Sequence, residues 1–151
     1  MQNRTILMTV AALTVAACNG ATDPTPGGSV SIAIQQALTG QTSSTGTFTL
    51  TGVLSDDGPT TEELTFGGPL TAPTVPVTFR RVLTGKRGTM TVTGSAVLTW
   101  TSQTVGTLSG AWEIKSATGA YATGRGTLTG SANFGVTPPS ATITYLGVIN
   151  R

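Results

Sequence analysis

The chain contains no histidine, a single cysteine and few charged residues, which make up 9% of its 151 residues. Without histidine it cannot hold a Ser-His-Asp triad, a Cys-His pair or an imidazole ligand for zinc. One cysteine cannot form an internal disulfide or a cysteine cluster. Eight Lys and Arg against six Asp and Glu give a net charge of +2, too little basic surface for binding nucleic acid. We therefore predict no metal, no cofactor and no nucleic-acid partner.

Threonine and glycine are abundant instead, and the 32 Thr and 20 Gly together form about a third of the chain. Threonine is branched at its β-carbon, and such side chains suit the pleated surface of a strand better than the crowded surface of a helix. The composition therefore favours a β domain.

Residues 1–20, MQNRTILMTVAALTVAACNG, have the features of a bacterial lipoprotein signal. Arg4 gives the N-terminal segment a positive charge, and residues 5–17 form an uncharged, mostly apolar run of 13 residues. That run has the length of a signal-peptide core and is shorter than the roughly 20 residues of a membrane-spanning helix. It ends in Val-Ala-Ala-Cys at positions 15–18, which resembles the lipobox, where the cysteine sulfur receives a diacylglycerol.

We expect cleavage between Ala17 and Cys18 and lipid on Cys18, so that acyl chains anchor the mature chain in a bilayer. Two other interpretations remain open: an ordinary signal peptide cut after Ala17, or a buried apolar helix with a chance cysteine. Asn19, rather than Asp, follows the cysteine. The prediction is therefore a cell-envelope protein, on the outer membrane of a Gram-negative host or otherwise on the outer face of the plasma membrane.

Residues 18–28, CNGATDPTPGG, predict a lipidated cysteine followed by a flexible tether. Pro24, Pro26 and the two final glycines oppose regular helix or sheet. At about 3.3 Å per extended residue, such a tether reaches roughly 30 Å. The folded domain is then expected over residues 29–151, which is long enough to bury one core without disulfides.

From residue 29 onwards, apolar residues alternate with threonine, serine and other polar residues, as in strands with one buried face. Turn segments rich in Gly, Pro, Ser and Asp separate eight such runs. The runs cover residues 30–34, 47–54, 62–66, 75–83, 89–100, 108–114, 128–134 and 143–149. We predict an all-β domain that forms a single eight-stranded antiparallel barrel, with a β-sandwich as the alternative.

Several of these runs carry a glycine within the strand pattern, at Gly52, Gly94, Gly110 and Gly130. Glycine inside a strand often marks the sharp coiling that a small barrel needs, so these positions favour the barrel over the sandwich. The alternation of apolar and polar residues places Trp112 on the apolar face of its strand and Lys115 on the opposite face. We therefore expect Trp112 to be buried and Lys115 to be exposed.

Residues 108–134, LSGAWEIKSATGAYATGRGTLTGSANF, resemble a signature of bacterial secreted proteins related to the allene oxide cyclase and dirigent barrels. The family pattern is a Gly-x-Trp-x-Ile strand, a Gly-Thr-Gly-x-Tyr-Ala turn and a Gly-x-Gly strand. The matching residues are Trp112, Ile114, Thr118, Gly119, Tyr121, Ala122, Gly124 and Gly126. Ala117 replaces the first glycine of the turn, and residues 46–66 and 83–92 resemble earlier parts of the same barrels.

The resemblance implies an eight-stranded antiparallel barrel with an apolar lumen. In plants such barrels guide cyclisation or radical coupling, whereas most bacterial relatives have no assigned activity, and a fold does not carry function with it. Two function classes follow. The first is a non-catalytic lipoprotein whose barrel binds a small apolar ligand or serves as a structural envelope module. The second is an isomerase or cyclase that acts on a small apolar substrate in the lumen.

Four side chains are candidate ligand-binding residues: Asp56, Glu62, Arg81 and Tyr145. Period-two parity places each on the apolar face of its strand or just past the end of that face, so each is predicted to point into the barrel or its mouth. The alternative for the three charged residues is that strand ends fray and leave them solvated. The alternative for Tyr145 is a core position with its hydroxyl at the rim.

The remaining charged residues form two acidic pairs, at 56–57 and 62–63, and a basic hairpin with residues 80–81 and 86–87. The acidic pairs lack the alternating spacing of a calcium loop and are expected to form a solvated acidic loop. The basic hairpin is expected to be an exposed charged element that prevents pairing between sheet edges, as charged strands commonly do.

Overall fold

The computed structural model describes residues 27–151, so the predicted signal peptide, Cys18 and most of the tether lie outside the described residues. Eight strands make up its regular structure: β1 (Gly28–Leu38), β2 (Ser43–Gly52), β3 (Asp56–Phe66), β4 (Thr74–Thr84), β5 (Thr89–Trp100), β6 (Val105–Ala117), β7 (Gly124–Asn133) and β8 (Ser140–Ile149). In this part of the chain no helix is long and apolar enough to cross a membrane.

Each strand pairs antiparallel with the next one along the chain, and β8 pairs with β1 to close the barrel. The predicted all-β class and the eight-stranded antiparallel barrel are confirmed, and the sandwich alternative is wrong. The alternating pattern explains this outcome, because it gives every strand one apolar face. A closed barrel buries all eight of these faces and leaves no unpaired sheet edge.

The up-and-down topology gives the barrel two different ends. At the entry end lie the loops at residues 53–55, 85–88 and 118–123 together with Gly28, where the chain enters the barrel. At the distal end lie the other four loops, at residues 39–42, 67–73, 101–104 and 134–139. A segment that precedes β1 therefore joins the barrel at the end opposite these four loops.

Apolar side chains from all eight strands fill the lumen. The largest fully buried apolar ones are Phe48, Tyr145, Ile32, Ile34, Leu50, Leu83, Met90, Leu98, Ile149, Val75 and Val92. Trp112 is also buried, at 2% exposure, whereas the Lys115 side chain is 57% exposed. The predicted opposite faces of Trp112 and Lys115 are thus confirmed.

A row of residues in register across β4 to β8 shows how the glycines shape this core. Phe79, Gly94, Trp112, Gly126 and Gly147 are successive partners across the five strands. A β-carbon on Gly94 would collide with the Phe79 ring, and one on Gly147 would collide with the Trp112 ring. The glycines therefore make room inside the barrel for two large aromatic rings.

Residues 55–60, SDDGPT, lie between two predicted strand runs and are expected to form one of the turns, but this expectation is wrong because β3 begins at Asp56. The ladder between β3 and β4 starts only at Thr60, so Pro59 has a strand partner on the β2 side alone. Proline is tolerated at such edge-like positions because no ladder hydrogen bond is lost. The extended strand turns Asp56 and Glu62 inwards, where both are buried, so the expected solvated acidic loop is wrong for these two residues.

Candidate functional site

A cavity of about 60 Å³ lies inside the distal half of the barrel. Its walls are mainly apolar and include Leu64, Phe66, Val77, Leu98, Leu108 and Phe134. Lining residues at the distal loops, among them Phe134 and Ser140, are half-buried or exposed, so the cavity reaches the surface at this end. Trp100 packs on Phe134 beside this mouth, with their ring centroids 5.1 Å apart.

Polar residues are also among those that line the cavity, and we call three of them, Gln36, Glu62 and Tyr145, its polar floor. Glu62 makes a salt bridge with Nη2 of Arg81, and its Oε2 accepts hydrogen bonds from Nε2 of Gln36 at 2.7 Å and from Oγ of Ser44 at 3.0 Å. Nη2 of Arg81 also donates to Oε1 of Gln36 at 2.6 Å. Four strands, β1 to β4, thus hold one buried ion pair.

Arg81 has no exposed surface and lies against two aromatic rings. Its Cζ atom is 5.9 Å from the ring centroid of Phe79 and 5.4 Å from that of Tyr145. A guanidinium over an aromatic face is attracted by the electron density of the ring, which partly replaces the water it has lost. The expectation that Arg81 belongs to an exposed basic hairpin is therefore wrong, whereas Arg80, Lys86 and Arg87 are exposed.

Tyr145 connects the polar floor to the aromatic core. Its ring stacks on Trp112 with centroids 5.5 Å apart and an angle of 15° between the planes. The residue is fully buried, and its hydroxyl has no hydrogen-bond partner among residues 27–151. Burial raises the pKa of Tyr145 above its ordinary value, an effect that the Arg81 charge opposes and the Glu62 charge reinforces. The hydroxyl therefore stays neutral and keeps a proton to donate.

The size of the cavity limits what it can hold. Its volume of about 60 Å³ exceeds the roughly 10–15 Å³ that one water needs. It falls well below the roughly 300–1,000 Å³ of pockets that enclose drug-sized ligands. Core side chains thus pack much of the lumen, and the cavity towards the distal end has room for a compact group.

Asp56 lies in the entry half of the barrel, apart from the cavity and its polar floor. It accepts a hydrogen bond from the Tyr121 hydroxyl and further bonds from the backbone amides of Asp57, Lys86 and Arg87 at 2.9, 2.9 and 3.1 Å. The carboxylate therefore ties the start of β3 to the β4–β5 turn and to the β6–β7 loop. We call these groups the Asp56 latch.

The electrostatics of the latch match a structural role. Burial raises the pKa of Asp56, but the hydrogen bonds from Tyr121 and from the amides of Arg87, Asp57 and Lys86 outweigh it and hold the pKa below its ordinary value. The carboxylate is therefore ionised at neutral pH, and its oxygen atoms are already occupied by donors from this protein.

The structure brings together three of the four predicted site residues, Glu62, Arg81 and Tyr145, and separates Asp56 from them. Sequence reasoning missed Gln36 and Ser44, which bind Glu62 directly. Gln36 has the parity of Ile32 and Ile34, and extending that alternation by two residues would have placed it in the lumen. No such alternation marked Ser44 as an inward-facing residue, because it lies in a segment whose composition is typical of a turn.

Within residues 27–151 no group of three or more acidic, cysteine or histidine side chains is placed to hold a metal ion. Comparison of the chain with protein-family models, with curated proteins and with solved structures finds no match in any of the three.

Proposed function

We propose that the chain is a membrane-anchored bacterial lipoprotein whose extracytoplasmic barrel is a non-catalytic module that binds a small apolar ligand. The observation that carries the proposal is the distal cavity, with its apolar walls and the buried, unpartnered hydroxyl of Tyr145. An apolar pocket with a few convergent polar groups is typical of a small-molecule site. The small volume suits a compact ligand or the end of a longer one that continues through the mouth.

The anchoring part of the proposal is supported by residues 1–18, with their positive start, apolar run and lipobox-like cysteine. It also agrees with the positions of the chain entry and the cavity mouth at opposite ends of the barrel. The chain enters at Gly28 on the entry end, whereas the cavity opens at the distal end. A lipid on Cys18 would therefore attach the protein without covering the mouth.

Ligand binding can be tested by NMR titration of the mature chain, residues 18–151, with Cys18→Ser so that it carries no lipid. We expect cyclopentanone, a compact and mostly apolar probe, to shift the amide signals of lining residues such as Ala96 and Ala141 in a saturable way. Ala132→Leu adds a bulky side chain to the lining and should abolish these shifts. Ala33→Leu makes the same change on the exposed face of β1 and should leave them intact.

If the unmodified barrel shows no saturable shifts with this probe, the ligand-binding proposal is wrong and a structural envelope module is the better description. If Ala33→Leu and Ala132→Leu abolish the shifts equally, the probe binds somewhere other than the distal cavity. Two-dimensional spectra of both variants without probe confirm that each one is folded.

An isomerase or cyclase is the second candidate, and one observation favours it: a buried carboxylate, Glu62, lines an apolar cavity. Buried ionisable groups at a cleft are frequent acid and base catalysts. However, both oxygens of Glu62 are engaged by Arg81, Gln36 and Ser44, so no oxygen is free of a protein donor. Product analysis with an allene oxide tests this candidate, and Glu62→Gln should eliminate any turnover that depends on the carboxylate.

A further inference from the structure

The approach to the distal cavity carries no charge. The four distal loops read TGQT, GGPLTAP, TSQT and FGVTPP, without a single Asp, Glu, Lys or Arg. Among residues 27–151, the only charged side chain that lines the cavity is Glu62, and it is paired with Arg81. A ligand that enters therefore meets neither a charged rim nor a floor with net charge.

The hydrogen-bonding groups at the floor are nearly all used within the protein. Glu62 accepts from Arg81, Gln36 and Ser44. The Oε1 atom of Gln36 accepts from Arg81 as well. Among residues 27–151, four buried side-chain atoms have no hydrogen-bond partner: Nε and Nη1 of Arg81, Nε1 of Trp100 and the Tyr145 hydroxyl. Of these, the Tyr145 hydroxyl alone belongs to a residue that lines the cavity. What remains for a ligand is mainly a neutral donor, the phenolic O–H.

We propose that the ligand is a neutral molecule with a compact apolar body and one acceptor oxygen, such as a ketone, aldehyde, ester or ether, which accepts a hydrogen bond from Tyr145. This inference rests on the proposed function and names its ligand class. A charged ligand would bury a charge with no counter-ion at a floor that is already neutral. A pure hydrocarbon would leave the Tyr145 hydroxyl without a partner, and buried polar groups are costly when unpaired.

Three probes of similar shape separate these cases: cyclopentanone, methylenecyclopentane and cyclopentanecarboxylate. Their dissociation constants are measured by NMR titration on the unlipidated mature chain and on Tyr145→Phe. The phenylalanine ring keeps the packing and removes only the hydroxyl. We expect the preference for the ketone over the alkene to fall by about two- to tenfold in Tyr145→Phe, as the loss of one neutral hydrogen bond requires. The alkene should bind both proteins equally, and the carboxylate should bind neither.

Tyr121→Phe is the matched control, because it removes the other tyrosine hydroxyl of the barrel at the Asp56 latch. It should leave the preference for the ketone unchanged. If ketone and alkene both bind but their ratio is the same in Tyr145→Phe, this inference is overturned while the proposed function stands. If the carboxylate binds as tightly as the ketone, the requirement for a neutral ligand is wrong. If no probe binds the unmodified barrel, the proposed function and this inference both fail.

Discussion

At position 81 an arginine lies inside an apolar barrel, where an unpaired guanidinium would cost several kcal/mol. The ion pair with Glu62 and the bond to Gln36 offset that cost. One position away on the same two strands, Arg80 and Glu63 are also cross-strand partners, but both are exposed. In both cases a glutamate on β3 lies opposite an arginine on β4. The pair Glu62–Arg81 is buried, whereas Glu63 and Arg80 are exposed.

This contrast predicts unequal effects of the same substitution. Arg81→Met leaves the buried Glu62 carboxylate without its counter-ion and should lower the free energy of unfolding by about 3–5 kcal/mol. Arg80→Met changes an exposed side chain that forms no salt bridge with Glu63, so it should change the free energy of unfolding by no more than about 0.5 kcal/mol. Urea unfolding of the unlipidated mature chain at neutral pH measures both values.

The double variant Glu62→Leu, Arg81→Met serves as the control, because it removes both charges together. Replacing a buried ion pair by apolar residues is often close to neutral. The double variant should therefore be more stable than Arg81→Met alone. Equal stabilities of Arg80→Met and Arg81→Met would show that the buried ion pair contributes no more than an exposed, unpaired arginine.

At the scale of elements, the Asp56 latch joins the start of β3 to two loops of the entry end, at residues 85–88 and 118–123. Since the pKa of Asp56 is lowered in the folded chain, the carboxylate contributes stability above its unfolded-state pKa of about 4. That contribution is lost as the pH falls through the lower folded-state value. Asp56→Asn should therefore lower the free energy of unfolding at pH 7 by about 1–3 kcal/mol, and the difference should shrink as the pH falls towards 2.5.

Asp57→Asn is the matched control for this experiment, because Asp57 is the exposed neighbour and pairs with the exposed Lys86. Its effect should stay below about 1 kcal/mol at every pH. A difference between the unmodified chain and Asp56→Asn that stayed constant from pH 7 to 2.5 would contradict the assignment of a lowered pKa.

Neighbouring strands of the barrel pack closely against each other at some of their glycines. A β-carbon on Gly126 would overlap the carbonyl oxygen of Leu146 on β8, whereas one on Gly68, in the distal loop 67–73, meets nothing within 4 Å. Gly126→Ala should destabilise the barrel by about 1–3 kcal/mol through overpacking. Gly68→Ala should change its stability by no more than about 0.5 kcal/mol. Both variants can be measured by thermal and urea unfolding. If Gly126→Ala and Gly68→Ala have equal effects, the assignment of a close strand approach at Gly126 is wrong.

The inward face of β6 predicts a second contrast in stability. Trp112 is buried and its Nε1 donates to the carbonyl of Thr127 at 3.1 Å, whereas Lys115 faces water. Trp112→Ala should lower the free energy of unfolding by about 3–5 kcal/mol because it removes apolar contact and leaves a cavity. Lys115→Ala should change it by no more than about 0.5 kcal/mol. Similar small effects in urea unfolding would mean that the tryptophan does not support the core.

At the scale of the whole molecule, the proposed lipid anchor gives a direct test. We expect the intact chain in a bacterial host to incorporate a radiolabelled fatty acid and Cys18→Ser to incorporate none and to accumulate as an unprocessed precursor. Because Cys18 is the only cysteine, no other thiol can take its place. Labelling that persists in Cys18→Ser would overturn the lipoprotein proposal, and Asn19→Asp combined with membrane fractionation would test the predicted sorting.

Much of the architecture could be predicted from local pattern. The alternation identified all eight strands and placed Trp112, Glu62, Arg81 and Tyr145 on inward faces, because side-chain direction in a strand repeats every two residues. The pattern was less reliable at strand ends. The segment at residues 55–60 contains Asp, Gly and Pro, which favour turns, yet pairing with β2 extends β3 through it.

Local pattern was enough to give the all-β class, the number of strands and, away from the strand ends, the face on which a side chain lies. Only the tertiary structure decided how far along the barrel each inward side chain sits, because that depends on the stagger between strands distant in sequence. This stagger brings Asp56 to Tyr121, 65 residues away in the sequence. Glu62 is only six residues from Asp56, but the rise of about 3.3 Å per strand residue places it about 20 Å along β3. The stagger also brings Gln36, Glu62 and Tyr145 to the floor of one cavity, since packing around a closed barrel is a property of all eight strands together.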